Sequence, residues 1–275
     1  AGFWLNHVIQ DPYPVHIGNC MRTLIQDDGA DEILLVNGQT FRHFLLNLEA
    51  FSRAATDPAG FDGETFYTEW TTRYFGQEAS PHAVTAFKKL HEASGRGYVA
   101  LISMVSEDVE KCQMRNTSPY HRTWFRPTTT IEDSRNQLLE RRNTLLEALD
   151  AARKVEAAGA DQAHFAYDQL VLPITLFVQT VELDLALKNA LLAWTDYTDA
   201  GAPSDAERAD GHMRDAVRIL KEHLATRFDG DKNERWKGWY DPAKRRPNGG
   251  FPTIEELQAI RFADVAASPV AREVG

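Results

Sequence analysis

The sequence predicts a mainly α protein that opens with two βα units of an incomplete parallel sheet and continues as an antiparallel helical bundle. Three observations lead to this. Two short apolar runs, at residues 3–9 and 33–36, have strand character, and each precedes a helical segment. Three long segments carry apolar residues at helical spacing from about residues 131, 161 and 204 onward. The connections between those three are short, which makes them antiparallel neighbours.

In the first run, Phe3-Trp4-Leu5 and Val8-Ile9 flank Asn6 and His7. A short helix over 21–26 is predicted next. The second run, Ile33-Leu34-Leu35-Val36, is apolar throughout, as in a strand buried on both faces of a parallel sheet, and it stops at Asn37-Gly38. A helix is predicted over 40–55, with Thr40 as N-cap and Phe41, Phe44, Leu45, Leu48 and Phe51 on its apolar stripe. Two βα units neither close a barrel nor complete a doubly wound sheet. The expectation is that their partner strands come from an upstream part of the same chain or from another chain.

No strand is predicted beyond this point. Asp62 opens a helix through Phe66, Trp70 and Tyr74, with Gly76 as its C′ residue. Pro81 sits in the first turn of the next helix, whose apolar face is Val84, Phe87 and Leu90. Residues 98–114 are predicted helical, and 115–130, with Pro119, Pro127 and three consecutive threonines, a loop. The helix at 131–158 carries Leu138, Leu145, Leu149, Ala152 and Val155 near heptad spacing. The helix at 161–199 is apolar almost all round and should be kinked by Pro173. The helix at 204–228 has Ala209, Met213, Val217, Leu220 and Leu224 as its seam. A short helix at 253–260 follows a basic, Gly/Pro-rich loop, and 261–275 read as a loosely ordered tail.

The 275 residues include 43% hydrophobic side chains, enough for a substantial core, and carry a net charge of −10. That charge argues against nucleic-acid binding, which favours a basic face. Cys20 and Cys112 form no CxxC pattern and read as idle thiols. Residues 1–7 lack the features of a signal peptide. The apolar run at 170–187 contains Pro173, Gln179, Glu182 and Asp184, so no membrane span is expected. There is no GxGxxG, Walker loop or GxSxG, and no cofactor is expected. His7 and His16 lack a third ligand at suitable spacing, and HExxH is absent, so no metal site is expected either.

Parallel β/α domains place their sites at the C-terminal ends of strands. Here those ends carry Asn6 and His7 on the first strand and Asn37, Gly38 and Gln39 on the second. Two readings are open: the polar groups meet a ligand, or they cap the helices that follow. Glu49, Asp62, Glu64 and Glu69 lie on or beside predicted helices, where solvated faces and helix N-termini account for them. Trp236 and Trp239, with Tyr240, either stack on sugar rings, with Arg235, Lys237, Arg245 and Arg246 meeting a carboxylate, or pin the tail to the bundle.

Several collinear stretches resemble glycoside hydrolase family 115. Gly2-Phe3-Trp4-Leu5-Asn6-His7 is similar to a family strand with two aromatics and a histidine. Ala30-Asp31-Glu32-Ile33-Leu34-Leu35-Val36-Asn37-Gly38 is similar to the last barrel strand, which ends in asparagine. Phe66-Tyr67-Thr68-Glu69-Trp70 through Arg73-Tyr74-Phe75-Gly76 resembles a Trp…Phe-Gly helix. Tyr167-Asp168-Gln169-Leu170-Val171-Leu172-Pro173 resembles a long bundle helix with internal proline, and Arg235-Trp236-Lys237 falls at a Lys-Trp step. After the asparagine this chain reads Gly38-Gln39-Thr40-Phe41-Arg42, where the family has Val-Gly-Asp-x-Lys-Pro.

The resemblance implies two terminal βα units of an incomplete parallel β/α (TIM-like) barrel at 1–57, an antiparallel helical bundle at 58–260 and a loose tail at 261–275. It implies an α-glucuronidase-like hydrolase of uronic-acid-bearing, glucuronoxylan-like glycans, located in the periplasm or outside the cell and in many cases dimeric. His7 and Asn37 would bind substrate, with Asn6, Gln39, Trp236 and Trp239 as further candidates. The catalytic acids would lie on earlier strands, in a barrel portion outside these residues. The alternative is a non-catalytic helical scaffold or dimerisation module.

Overall fold

The computed structural model describes residues 13–30, 32, 41–94, 98–117, 130–158, 163–230, 234–240 and 251–267. The two predicted strands, Thr40 and the loop residues 118–129 lie outside them. The protein is mainly α, and no strand occurs among the described residues. The expected barrel end at 1–57 is therefore represented here by helical segments alone. The helices are α1 Pro14–Arg22, α2 Leu45–Thr56, α3 Gly63–Ser94, α4 Tyr98–Thr117, α5 Ile131–Ala158, α6 Ala163–Ala166, α7 Leu172–Ala200, α8 Pro203–Gly230, α9 Ile254–Gln258 and α10 Phe262–Ala267. They form two compact units. One comprises Ala1–Val99 and Asn143–Phe177, the other Ala100–Arg142 and Val178–Gly275.

In the first unit, α1 starts at Pro14 and runs into a π-helical turn at Thr23–Asp27. The sequence suggested a helix only from residue 21. Pro14 instead occupies the first helical turn, where its missing N–H costs nothing and its φ is already helical. α1 buries Ile17, Gly18 and Met21 and packs on α2 and α3. The approach to α3 depends on Gly63, where a Cβ would come within 2.6 Å of the Val15 backbone.

α2 follows a 3-10 turn at Phe41–His43. It buries Leu46, Asn47, Ala50 and Ala54, with Phe44 just ahead of it, while Leu45 is exposed. The predicted stripe was thus about one residue out of register. The reason is the separate 3-10 turn, which restarts the helix at Leu45 rather than continuing one from Thr40.

Gly76 adopts φ +82° inside α3, separating the two helical halves that the sequence indicated. The hydroxyl of Ser80 meets those of Thr71 at 2.7 Å and Thr72 at 3.0 Å, which satisfies buried polar atoms across this break. Trp70 is fully buried as an aromatic hub. Its ring lies 4.5 Å from Tyr74, 5.7 Å from Phe87 and 6.1 Å from Phe165, and its indole N–H donates to Glu49 at 2.9 Å. Nearby, the Tyr67 hydroxyl and His91 Nδ1 are hydrogen-bonded at 2.5 Å.

α5 has the predicted bounds, and Leu138, Leu145, Leu149, Ala152 and Val155 are all buried. The helical run from α6 through α7 is long and apolar enough to cross a membrane by length and composition. Yet 83% of its most apolar window is buried in the protein, as for a core helix.

In the second unit, α4 contributes Leu101, Ile102, Val105, Val109 and Cys112 to the core. α8 buries Ala206, Ala209, Asp210, Met213, Ala216, Ile219, Leu220 and His223. Leu224, expected in its seam, is exposed. The buried face alternates steps of three and four residues through Ala206, Ala209, Met213, Ala216, Leu220 and His223, so the inward positions are Ala216 and His223 where the apolar pattern pointed to Val217 and Leu224. α9 begins with a capping box, Thr253 and Glu256 each satisfying the other's backbone N–H. Residues 262–267, expected within the loose tail, form α10 against α8. Asp210 accepts the N–H groups of Phe262 at 2.6 Å and Ala263 at 3.2 Å, and the Phe262 ring lies 5.0 Å from Trp194.

Two predictions follow from this packing. Asp210→Ala removes the cap of α10 and should cost about 1–2 kcal/mol in urea unfolding, with faster proteolysis of the tail. The second concerns acid. Burial lowers the His91 pKa from 6.5 to about 3, so between those values the unfolded chain binds a proton that the folded one refuses. Stability is then full above pH 6.5 and falls as pH drops toward 3. Unfolding midpoints measured across this range should decline on the acid side. They should decline less in H91Q, the remainder belonging partly to His223, which burial also pushes down.

Candidate functional site

The site-forming feature of the first unit begins with Pro173. The N–H of Leu172 bonds to the carbonyl of Tyr167, five residues back, in a π-helical turn at Tyr167–Val171. In that register the carbonyl of Asp168 would take its hydrogen from residue 173, and residue 173 is a proline with no N–H. His43 supplies the missing donor: its Nδ1 lies 2.7 Å from the Asp168 carbonyl oxygen, which accepts.

Around this bond a buried polar clamp closes. Arg42 Nη2 donates to Asp168 Oδ1 at 2.6 Å, with the arginine side chain fully enclosed. Gln169 Nε2 donates to the backbone carbonyl of Arg42 at 2.6 Å. The 3-10 turn at Phe41–His43 is therefore fastened to the π turn by these hydrogen bonds, at a point two residues beyond Gln39 in sequence. Phe165, just ahead of the π turn, packs against Tyr74 and Phe75 at 5.4 Å each. The two stretches 66–76 and 167–173, both singled out from the sequence, are thus joined in one unit with the segment that follows Asn37.

Asn6, His7, Asn37 and Gln39 lie outside the described residues. His16 is on α1, with its Nε2 3.5 Å from the Cys20 thiol. Trp239 is buried and Trp236 half-buried, their rings meeting edge to face at 5.2 Å. In the same unit the Arg227 guanidinium lies over Tyr240 at 5.7 Å and Phe251 at 5.0 Å. This packing turns the Trp239 ring inward and leaves Trp236 part of its surface.

Several carboxylates of α2 and α3 are engaged in structural contacts. Glu49 accepts from Trp70, Arg73 and Tyr74, and Glu64 pairs with Lys88. A surface groove of about 540 Å³ is lined by Arg53, Asp57, Asp62 and Glu69, among others. Arg53 pairs with Glu69 at 2.6 Å, and Asp57 accepts the N–H of Gly60. Asp62 caps α3 through the N–H of Thr65, and that bond, with the Thr65 hydroxyl, holds its carboxyl below the usual range. Each charged group lining the groove thus has a structural partner.

Sequence reasoning did not single out Arg42, His43, Asp168 or Gln169 as a cluster. The available signal was the pair Asp168-Gln169 directly ahead of an apolar run with an internal proline, since buried polar residues there require partners. Removing one member of a buried ion pair leaves an uncompensated charge, so Arg42→Met or Asp168→Leu should each cost about 3–5 kcal/mol. The double variant should recover much of that loss, measured as a double-mutant cycle in chemical denaturation. No protein-family model matches this chain, and no significant match occurs among curated proteins or solved structures.

Proposed function

We propose that this chain supplies substrate-binding strand ends and a supporting helical bundle to a glycoside hydrolase acting on uronic-acid-bearing, glucuronoxylan-like glycans. The observation that carries this reading is the buried clamp of Arg42, His43, Asp168 and Gln169. Desolvating an ion pair is costly, and a clamp of this kind is suited to fixing the position of the segment it holds. That segment directly follows Asn37 and Gln39, the residues read as a strand end at a binding site. The joining of stretches 66–76 and 167–173 in one unit also agrees with the collinear resemblance to family 115.

In this reading Asn6, His7, Asn37 and Gln39 orient sugar hydroxyls and the uronate carboxylate by hydrogen bonds. Hydrolysis passes through an oxocarbenium-like transition state, with the acid and its companion carboxylate coming from outside these residues. The engagement of Glu49, Glu64, Glu69 and Asp62 in structural contacts suits a part that holds substrate. A second reading, a scaffold or dimerisation module, is favoured by the exposed Leu224 and Phe228 one turn apart on α8.

The test is to offer the 275-residue chain aldouronic oligosaccharides and follow binding by calorimetry and product by chromatography. Binding without turnover is expected, with H7A and N37A each weakening affinity about tenfold or more, as for lost hydrogen bonds to a charged ligand. Robust turnover by the chain alone would contradict the external origin of the acids. Absence of binding together with a stable dimer would favour the scaffold.

A further inference from the structure

The second unit contains a buried charge cluster that the proposed function does not use. Asp184 on α7 has no exposed surface, and neither of its carboxyl oxygens receives an N–H or O–H donor. The ammonium of Lys188, one turn on, is 3.7 Å away, beyond hydrogen-bond reach. It is committed to Asp108 of α4, donating to Oδ2. Asp108 Oδ1 accepts from Lys111 at 2.6 Å. Asp108 thus holds two ammonium groups within hydrogen-bond distance, while Asp184 has only the longer ion pair to Lys188. The described charged groups that face Asp184 are Asp108 and Lys111 from α4, half-buried Arg141 from α5, and Lys188 on α7 itself.

An ionised carboxylate in this position would be desolvated, without a donor and beside a second carboxylate. A neutral acid would instead donate its proton to Asp108. We infer that Asp184 carries a proton at neutral pH and shares it with Asp108, so that α4 and α7 are joined by a proton-dependent lock that weakens as pH rises from acid.

The electrostatics agree in direction. Burial, and then Asp108, push the Asp184 acid up to about 8, while Lys188 works against this. Asp108 itself, although burial acts to raise it, is held below the usual carboxylate range by Lys188 and Lys111. Between the ordinary value of 3.8 and about 8 the folded chain keeps a proton that the unfolded chain releases. The lock's contribution is therefore greatest on the acid side, falls as pH rises through that window and is flat above it.

Asp184→Asn keeps the size of the side chain and its ability to donate to Asp108 but does not titrate. The ratio of its folding constant to that of the unaltered chain should rise with pH, approaching tenfold per pH unit between about pH 5 and 7. Parallel pH profiles would overturn the inference. A second measurement needs no substitution at Asp184. The infrared carbonyl band of a protonated carboxylic acid should be present at neutral pH and vanish as pH passes about 8. Glu182, half-buried and also pushed up by burial, is excluded by recording the same band in E182Q. Absence of the band from E182Q at neutral pH would equally overturn the inference.

Discussion

The first unit is organised around a hydrogen bond that one residue cannot make. Pro173 lies in the most apolar helix of the chain, where an unsatisfied carbonyl is expensive. A proline inside a helix costs about 3 kcal/mol through its missing N–H and its ring's clash with the preceding turn. Here the helix widens into the π turn at Tyr167–Val171, and the deficit moves to the carbonyl of Asp168. His43 answers it from outside the helix. Once His43 is fixed, Arg42 is fixed beside it, and the Asp168 carboxylate and Gln169 amide close around the arginine. A straight helix would have satisfied its own carbonyls and offered the 3-10 turn nothing to hold.

Two of the enclosed aspartates, Asp168 and Asp184, are neutralised differently, and geometry decides how. Asp168 receives one guanidinium donor with the carboxylate nearly sealed from solvent. That is an ion pair within one unit, and it ties elements 126 residues apart in sequence. Asp184 competes with Asp108 for lysines and loses, because both ammonium groups reach Asp108 first. At Asp168 the guanidinium lies in direct contact with the carboxylate. Shared point charges leave one carboxylate to the proton, which makes that contact dependent on the medium.

How much of this was legible in the sequence varies with the physical origin of each feature. Local rules carried well: α5 has the predicted bounds, Gly76 separates two helical halves, and Pro173 disturbs the helix it lies in. Features set by tertiary choice did not carry. The buried face of α2 moved by one position because a 3-10 turn was inserted ahead of it. The seam of α8 runs through Ala216 and His223 rather than Val217 and Leu224, and a small or polar residue on the inner face gives no apolar signal. α10 was missed because its anchor, Asp210, lies 52 residues away, and six residues carry too little periodicity to announce a helix. The candidate site was legible only in part. Asn37 and Gln39 were marked by the end of an apolar run, whereas Arg42 read as an ordinary helix residue, since nothing local shows that its partner is Asp168.

These features bear on what kind of chemistry the helical part can support. Glycoside hydrolysis needs one carboxyl held protonated at rest and a second held ionised across the scissile bond, both open to substrate. Asp184 is raised in the required sense but fully enclosed, so no glycosidic oxygen can reach it. Asp62, Glu64 and Glu69 are accessible, yet each is tied to a backbone N–H or a basic side chain. Protonation strength and access are thus separated among these residues: the neutral acid is sealed in, and the open carboxylates are paired. If the chain belongs to a glycosidase, the acid that breaks the bond must stand where burial and substrate access coincide, and none of these four carboxyls does.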